Sequence, residues 1–335
     1  MNGQVSPFTP PSHADITAAA ERLAATAVCT PLLENAALND AVGGRILLKA
    51  ETLQRTGSFK FRGAYNFISQ LDGGQRRRGV VAYSSGNHAQ GVAAAAALLG
   101  APATIVMPTD APSIKLDNTR ALGATVVTYD RHSEPREEIA AQLATESGAT
   151  LVPPYDHPWT IAGQGTVGLE IAAQAAMIGA MPDALVVCCG GGGLTAGIAT
   201  VFAEAAPTTG IYTAEPRDFD DTAQSLATGR LVTNQPGGNS ICDALLAPTP
   251  GALTFSINNR LVTGGVSVSD DDVRRAMLFA WQSLKLVVEP GGAVALAAVL
   301  SGAVDCGDRV IAVVLSGANI DAAVFREVLK DAEGR

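Results

Sequence analysis

Four consecutive glycines, Gly190, Gly191, Gly192 and Gly193, sit between an apolar run and an alanine-rich stretch in CCGGGGLTAGIA (188–199). Without Cβ atoms, successive backbone N–H groups can converge on one point, and a helix starting there adds positive potential. The segment therefore suits a phosphate dianion. It is neither a P-loop, since no Lys-Ser/Thr follows, nor a dinucleotide GxGxxG with an acidic partner. A flexible linker is the bland alternative, but linkers do not sit between a strand and a helix. A second stretch, TGSFKFRGA (56–64), puts Lys60 between Phe59 and Phe61 in a chain that is only 5% aromatic. It reads either as a helix start whose lysine lies along apolar neighbours or as an amine kept in a pocket for its chemistry. The nonapeptide alone leaves both readings open.

Three further junctions gather polar groups. YSSGNHAQGVA (83–93) places Ser84, Ser85, Asn87 and His88 at a strand's carboxyl end, where open α/β sheets hold ligands. A helix cap needs one such residue, and here there are four. VVLSGANID (313–321) ends a strand with Ser316, Gly317 and Asn319, which a cap would also explain. AEPRDFDDT (214–222) clusters Glu215, Asp218, Asp220 and Asp221 beyond another strand. Carboxylates with a loop carbonyl make an oxygen-rich site for Mg²⁺ or Ca²⁺; a solvated acidic loop is the alternative. The acidic run 270–272 reads instead as a capped helix start, with Ser269 as N-cap and Asp272 at the third helical position.

These junctions need a frame. The runs at 45–51, 80–85, 103–108, 125–130, 184–190, 210–216 and 309–317 are apolar and continuous, as parallel strands covered on both faces are. Helical stretches at 87–99, 134–147, 164–178 and 193–205 alternate with them. The expected class is α/β, with two open, twisted, mainly parallel sheets and a cleft between them. A chain of 335 residues, 47% hydrophobic and 16% charged, supports about two domains. With 23 basic and 32 acidic residues the net charge is −9, and no basic block argues for nucleic acid. No run is long and apolar enough to span a bilayer, and the first residues lack a signal-peptide order. The five cysteines form no framework, so buried free thiols in a reducing cytoplasm are expected.

In sequence order, TGSFKFRGAYN, SSGNHAQG, VMPTDAPSIK, IAGQGTVGLE, GGGGL, AEP…DD, VVEPGGAVALAA and LSGANID resemble the serine/threonine dehydratases and serine racemases. These are pyridoxal-phosphate enzymes of the tryptophan-synthase-β fold group, fold type II, and the resemblance runs from about residue 30 onward. It implies a large cofactor-binding domain from 1–75 and 157–335, and a small mobile domain from 76–156. It implies that Lys60 bonds the cofactor aldehyde and, once displaced by substrate, becomes the Cα base. Phe59 would lie against the ring, Gly190–Gly193 and Leu194 would hold the phosphate, and Asn87 would bond the 3′-oxygen. Ser316 would face the pyridine nitrogen. A hydroxyl there, unlike a carboxylate, can leave that nitrogen unprotonated, which disfavours a long-lived carbanion and favours loss of a β-substituent.

The resemblance also places Ser85 on the substrate face opposite Lys60, where a second acid-base would permit racemisation. Ser84, Ser85, Asn87 and His88 would receive the substrate, and Arg136 falls where racemase relatives carry a substrate-side arginine. Glu215, the Phe219 carbonyl and Asp221 match a divalent-cation site for Mg²⁺, with Mn²⁺ or Ca²⁺ as alternatives, and a homodimer is implied. The expected reaction is β-elimination from L-threonine or L-serine to a 2-oxo acid and ammonia. The alternatives are 3-hydroxyaspartate dehydration, racemisation, a hydroxyectoine-breakdown dehydratase, or a cofactor-binding protein without lyase turnover. Two departures stand out. Ala318 replaces a commoner glycine, with less backbone room near the ring, and ICDALL (241–246) replaces the usual Ala-Asp-Gly. No regulatory domain follows the last strand, so allosteric isoleucine control is not expected.

Overall fold

The structure, a computed structural model, describes residues 6–84, 86–111, 113–130 and 133–333. Among these the strands are β1 (Leu32–Glu34), β2 (Arg45–Ala50), β3 (Val80–Tyr83), β4 (Ala103–Pro108), β5 (Thr125–Tyr129), β6 (Thr150–Leu151), β7 (Ala184–Cys188), β8 (Gly210–Pro216), β9 (Gly264–Val268) and β10 (Val310–Leu315). They form a six-stranded sheet, ordered β1-β2-β10-β7-β8-β9, and a four-stranded sheet, ordered β5-β4-β3-β6. Every pairing is parallel except that of β1 with β2. The α/β class with two mainly parallel sheets is therefore as expected.

The seven expected strands all form, several with shorter ends, because their apolar residues face helices on both sides of each sheet. Ile46, Leu47, Leu48, Val186, Val187, Val313 and Val314 are all fully buried. Among the expected helices, 87–99 and 193–205 stand as read, and 134–147 begins at Arg136. The helix expected over 164–178 is Pro158–Met177: Pro158 starts it, and the His157 ring accepts from the Trp159 N–H. The cap expected at Ser269 is present, reciprocated by Asp272. Of the five free cysteines four are buried, while Cys29 is exposed, against the expectation.

The large sheet reverses its strand order between β10 and β7, and a crevice opens outside the strand carboxyl ends at such a point. Cys188, Leu315 and Ala50 end their strands there. The helix Lys60–Ser69 joins the two sheets. Its Phe61, Ala64, Phe67 and Ile68 share a core with Val80, Ala82, Ile105 and Met107 of the small sheet. On its other side Arg62 is paired with Glu51, just after β2, and with Glu170.

Candidate active site

The segment before Lys60 is pulled beneath the end of β10. After β2 the chain makes two short 3₁₀ turns, Glu51–Leu53 and Arg55–Gly57. Ser58 then bridges Gly317, and the Phe59 N–H donates to Ser316 O at 3.2 Å. Lys60 opens the next helix. Its Nζ donates to Pro154 O at 2.8 Å and lies 5.2 Å from the Phe59 ring centroid. A carbonyl and an aromatic face compensate an ammonium poorly, and burial lowers the amine's pKa to about 8. Lys60 thus opens a helix, as one reading had it, and its amine is held by a carbonyl and a ring.

His88 is buried. Its Nε2 meets Val152 O at 2.9 Å; since a carbonyl only accepts, Nε2 carries the proton, and Nδ1 has no partner. Burial, and then the charge on Lys60, lowers its pKa to about 3, so the ring is neutral.

The glycine loop follows the end of β7 and leads into the helix Gly193–Ala205. Gly191 O accepts from the Thr254 hydroxyl at 2.6 Å, and Gly192 O accepts from Asn258 Nδ2 at 3.3 Å. In a trans peptide the N–H opposes the C=O, so the N–H groups of Gly192 and Gly193 turn the other way. Gly192, at φ 89°, caps the helix Gly193–Ala205. A Cβ on Gly191 would overlap the Tyr155 ring, so this glycine admits that ring as well as shaping the loop. Pro154 and Tyr155 are anchored through Asp156, whose Oδ1 accepts from the N–H groups of Leu253 and Thr254 at 2.9 and 3.0 Å.

Asn87, at the start of the helix Asn87–Leu99, completes the cleft. Its Nδ2 donates to Glu289 Oε1, and its Oδ1 accepts from Asn319 Nδ2 at 2.7 Å. Ser316 is buried beside Cys188, whose thiol is pushed up to about 11 by burial, an effect the Ser316 hydroxyl partly offsets. Lys115, also buried, pairs with Asp243 at 2.7 Å and so joins the two sheets across the cleft.

A desolvated amine, an N–H cradle at a helix start and convergent amide and hydroxyl groups have a counterpart among known proteins. Residues 25–317 match the family model described as pyridoxal-phosphate dependent enzyme. The chain belongs to this family. It is 43% identical over 320 residues to an L-threo-3-hydroxyaspartate ammonia-lyase from Pseudomonas sp, covering 95% of this chain and 98% of that one. It is 38% identical to a serine racemase from Schizosaccharomyces pombe, covering 95% and 97%. Among solved structures, a threonine deaminase of T.th. superposes with a TM-score of 0.88 at 43% identity, covering 93% and 99%.

The residues present fit pyridoxal phosphate. Lys60 offers a lone amine of lowered pKa, Gly192 and Gly193 offer N–H groups at a helix start, and Asn87 and Ser316 offer hydrogen-bonding groups between them. Leu194 is buried in the first turn of the glycine-loop helix. The Ser84 hydroxyl accepts from the Gly86 N–H at 3.2 Å, bracing its own turn. Ser85 lies outside the described residues. Arg136, half-exposed, stands 5.5 Å from the Tyr83 ring centroid with its Nε bonded to Glu137 at 3.0 Å. The Ala318 N–H donates to Gly57 O at 2.9 Å. The tight position is Gly317, where a Cβ would overlap Glu289 Oε1. In ICDALL, Cys242 is buried, Asp243 holds Lys115, and Leu245 lies against Gly190.

Away from the cleft, Glu215 and Asp221 are buried together. The Glu215 carboxylate accepts from Thr222 N at 3.0 Å and Ala223 N at 2.7 Å, while Asp221 Oδ1 accepts from Asn234 at 2.6 Å and Oδ2 has no partner. Burial raises Asp221 to about 7, and burial and the charge on Asp221 raise Glu215 well above its ordinary value. Two such carboxylates with a free oxygen suit a divalent cation. The sequence reading missed Pro154 O, Tyr155, the Lys115–Asp243 pair and any role for Glu289. The Pro-Pro-Tyr-Asp run after β6 was the available signal for the first two.

Proposed function

We propose that the chain is an ammonia-lyase acting on a small β-hydroxy α-amino acid, with L-threo-3-hydroxyaspartate placed ahead of L-threonine and L-serine. The observation that carries the reaction is the Lys60 amine, held beneath β10 with its pKa near 8. The order of substrates rests on the 43% identity to a 3-hydroxyaspartate ammonia-lyase. A second carboxylate also needs a cation, and Lys115 and Arg136 stand on the small-sheet side of the cleft.

Pyridoxal phosphate bound here supplies the electron sink for the bond broken at the substrate Cα. Lys60 Nζ takes the Cα proton, and a pKa near the working pH keeps a useful fraction of the amine neutral. Phe59 would pack on the cofactor ring, Gly190–Gly193 and Leu194 would hold its phosphate, and Asn87 and Ser316 would offer hydrogen bonds to it. The turn containing Ser84, Asn87 and His88 receives the α-carboxylate. Water leaves as the β-hydroxyl departs, water re-enters as the C–N bond is hydrolysed, and a 2-oxo acid and ammonia result without an oxidant.

A racemase is the second reading, favoured by the 38% identity to a serine racemase; Ser85 would be its second-face acid. Mg²⁺ would be held by Glu215, Asp221 and the Phe219 carbonyl. The small domain would be 76–156, between two parts of the large one. A homodimer would cover the exposed Leu53 and Leu98, and the free thiols favour a cytoplasmic setting. No helix among the described residues is long and apolar enough to cross a membrane.

The test is to incubate purified holoenzyme with the three amino acids and assay 2-oxo acid, ammonia and D-amino acid together. Oxo acid and ammonia in equal amounts are expected. No oxo acid from any of the three would overturn the lyase.

A further inference from the structure

Glu289 occupies the N-cap position of the helix Pro290–Leu300, yet its carboxylate makes no cap bond there. Only 1% exposed, it reaches instead to Asn87 Nδ2, and Gly317 lacks a side chain where that carboxylate oxygen passes. The far end of the Asn87 amide is fixed as firmly. Asn319 Nδ2 donates both to Asn87 Oδ1 at 2.7 Å and to Thr56 O at 2.8 Å, so both its N–H groups are committed. An acceptor at one end and a donor at the other permit only one orientation of the amide. One N–H of Asn87 is then left over.

We infer that Glu289 is a positioning residue which, with Asn319, holds the Asn87 amide so that its remaining N–H is offered to the cofactor's 3′-oxygen. The inference rests on the contact proposed above between Asn87 and the cofactor. Burying a carboxylate here is unfavourable. Burial and the charge on Asp243 raise its pKa to about 7, and Lys115 and the Asn87 bond only partly oppose this; Cys188 is the other titratable group within its field. A glutamine of the same shape would remove that penalty but could present a donor or an acceptor to Asn87, which unlocks the amide.

The test is a double-variant cycle on pyridoxal-phosphate affinity, read from visible absorbance as cofactor is titrated into apoprotein, with apoprotein melting temperatures confirming that each variant folds. Glu289→Gln is expected to weaken binding about 10-fold, the worth of one well-made hydrogen bond. In an Asn87→Ala background the same change is expected to cost less than about 2-fold, because its effect passes through Asn87. Equal losses in both backgrounds, or no loss in either, would overturn the inference while leaving the Asn87 contact standing. An Asn87→Ala variant that binds cofactor as tightly as the parent would remove that contact, and the inference with it. Asn319→Asp is the independent arm. It replaces the donor facing Asn87 Oδ1 by an acceptor, and unchanged affinity in that variant would also overturn the inference.

Discussion

Lys60 and Arg62 are two residues apart in one helix, and their surroundings are opposite. Arg62 is nearly inaccessible and fully matched: Nε and Nη2 reach Glu51 at 2.8 Å each, while Nη1 and Nη2 reach Glu170 at 2.7 and 2.9 Å. Burial alone would lower its pKa, but Glu51 and Glu170 outweigh burial and raise it. Lys49 joins the network through Glu170 at 2.6 Å and Thr30 O at 2.6 Å. Lys60 has one carbonyl and a ring. Paired charge of this kind fixes where a helix lies; an amine left short of partners has its proton available for exchange. The same helix therefore carries an anchor and a reactive group, told apart by how far each charge is compensated.

Breaking each side should give opposite signs. Removing the amine in Lys60→Met should lower turnover by at least about 10³-fold, the upper part of the range for a lost general base. The apoprotein should nonetheless melt higher at pH 7. The folded pKa of Lys60 lies below its ordinary value, so its charge is costly below pH 8 and the cost fades as pH rises toward 10.5. Differential scanning calorimetry across pH 6.5 to 10 checks this, and a lower melting temperature at pH 7 would contradict it. Arg62→Met should instead destabilise at every pH in that range, by about 3–5 kcal/mol, because buried Glu51 loses its ion-pair partner and Glu170 keeps only Lys49. A denaturant titration showing under about 1 kcal/mol would break the contrast.

The smallest effect concerns the acidic pair. Asp221 is raised to about 7, so ionising it costs stability as pH rises from 3.8 through 7, and a bound cation would relieve that cost. The gain in melting temperature from Mg²⁺ should therefore grow between pH 6 and pH 8, and Asp221→Asn should abolish it. An Mg²⁺ effect independent of pH would argue for a different site.

Much of the frame was legible because continuous apolar runs have one use in an α/β chain. The strands missed, β1, β6 and β9, are short edge strands with no fully apolar run, and Gly264-Gly265 opens the last of them. The start of the helix Pro158–Met177 was obscured by Gly163, which sits inside it just before the expected start at 164. At the site, the glycine loop, Lys60, Asn87 and Ser316 could be named from local pattern or resemblance. Glu289, Lys115 and Tyr155 could not, because their meaning lies in partners more than 30 residues away: Asn87, Asp243 and Gly191.

The position of β10 has a consequence for how the molecule is made. It lies between β2 and β7, in register with Arg45–Ala50 on one side and Ala184–Val186 on the other. On a ribosome, β2 and β7 emerge with no partner between them, and their facing edges stay open until residue 315 is available. Pairing across such a sequence separation is slow, and open apolar edges recruit other chains in the interval. The small sheet, complete by residue 151, faces no such delay. Expression yield should thus be set by the time to insert one late strand rather than by the strength of the finished core.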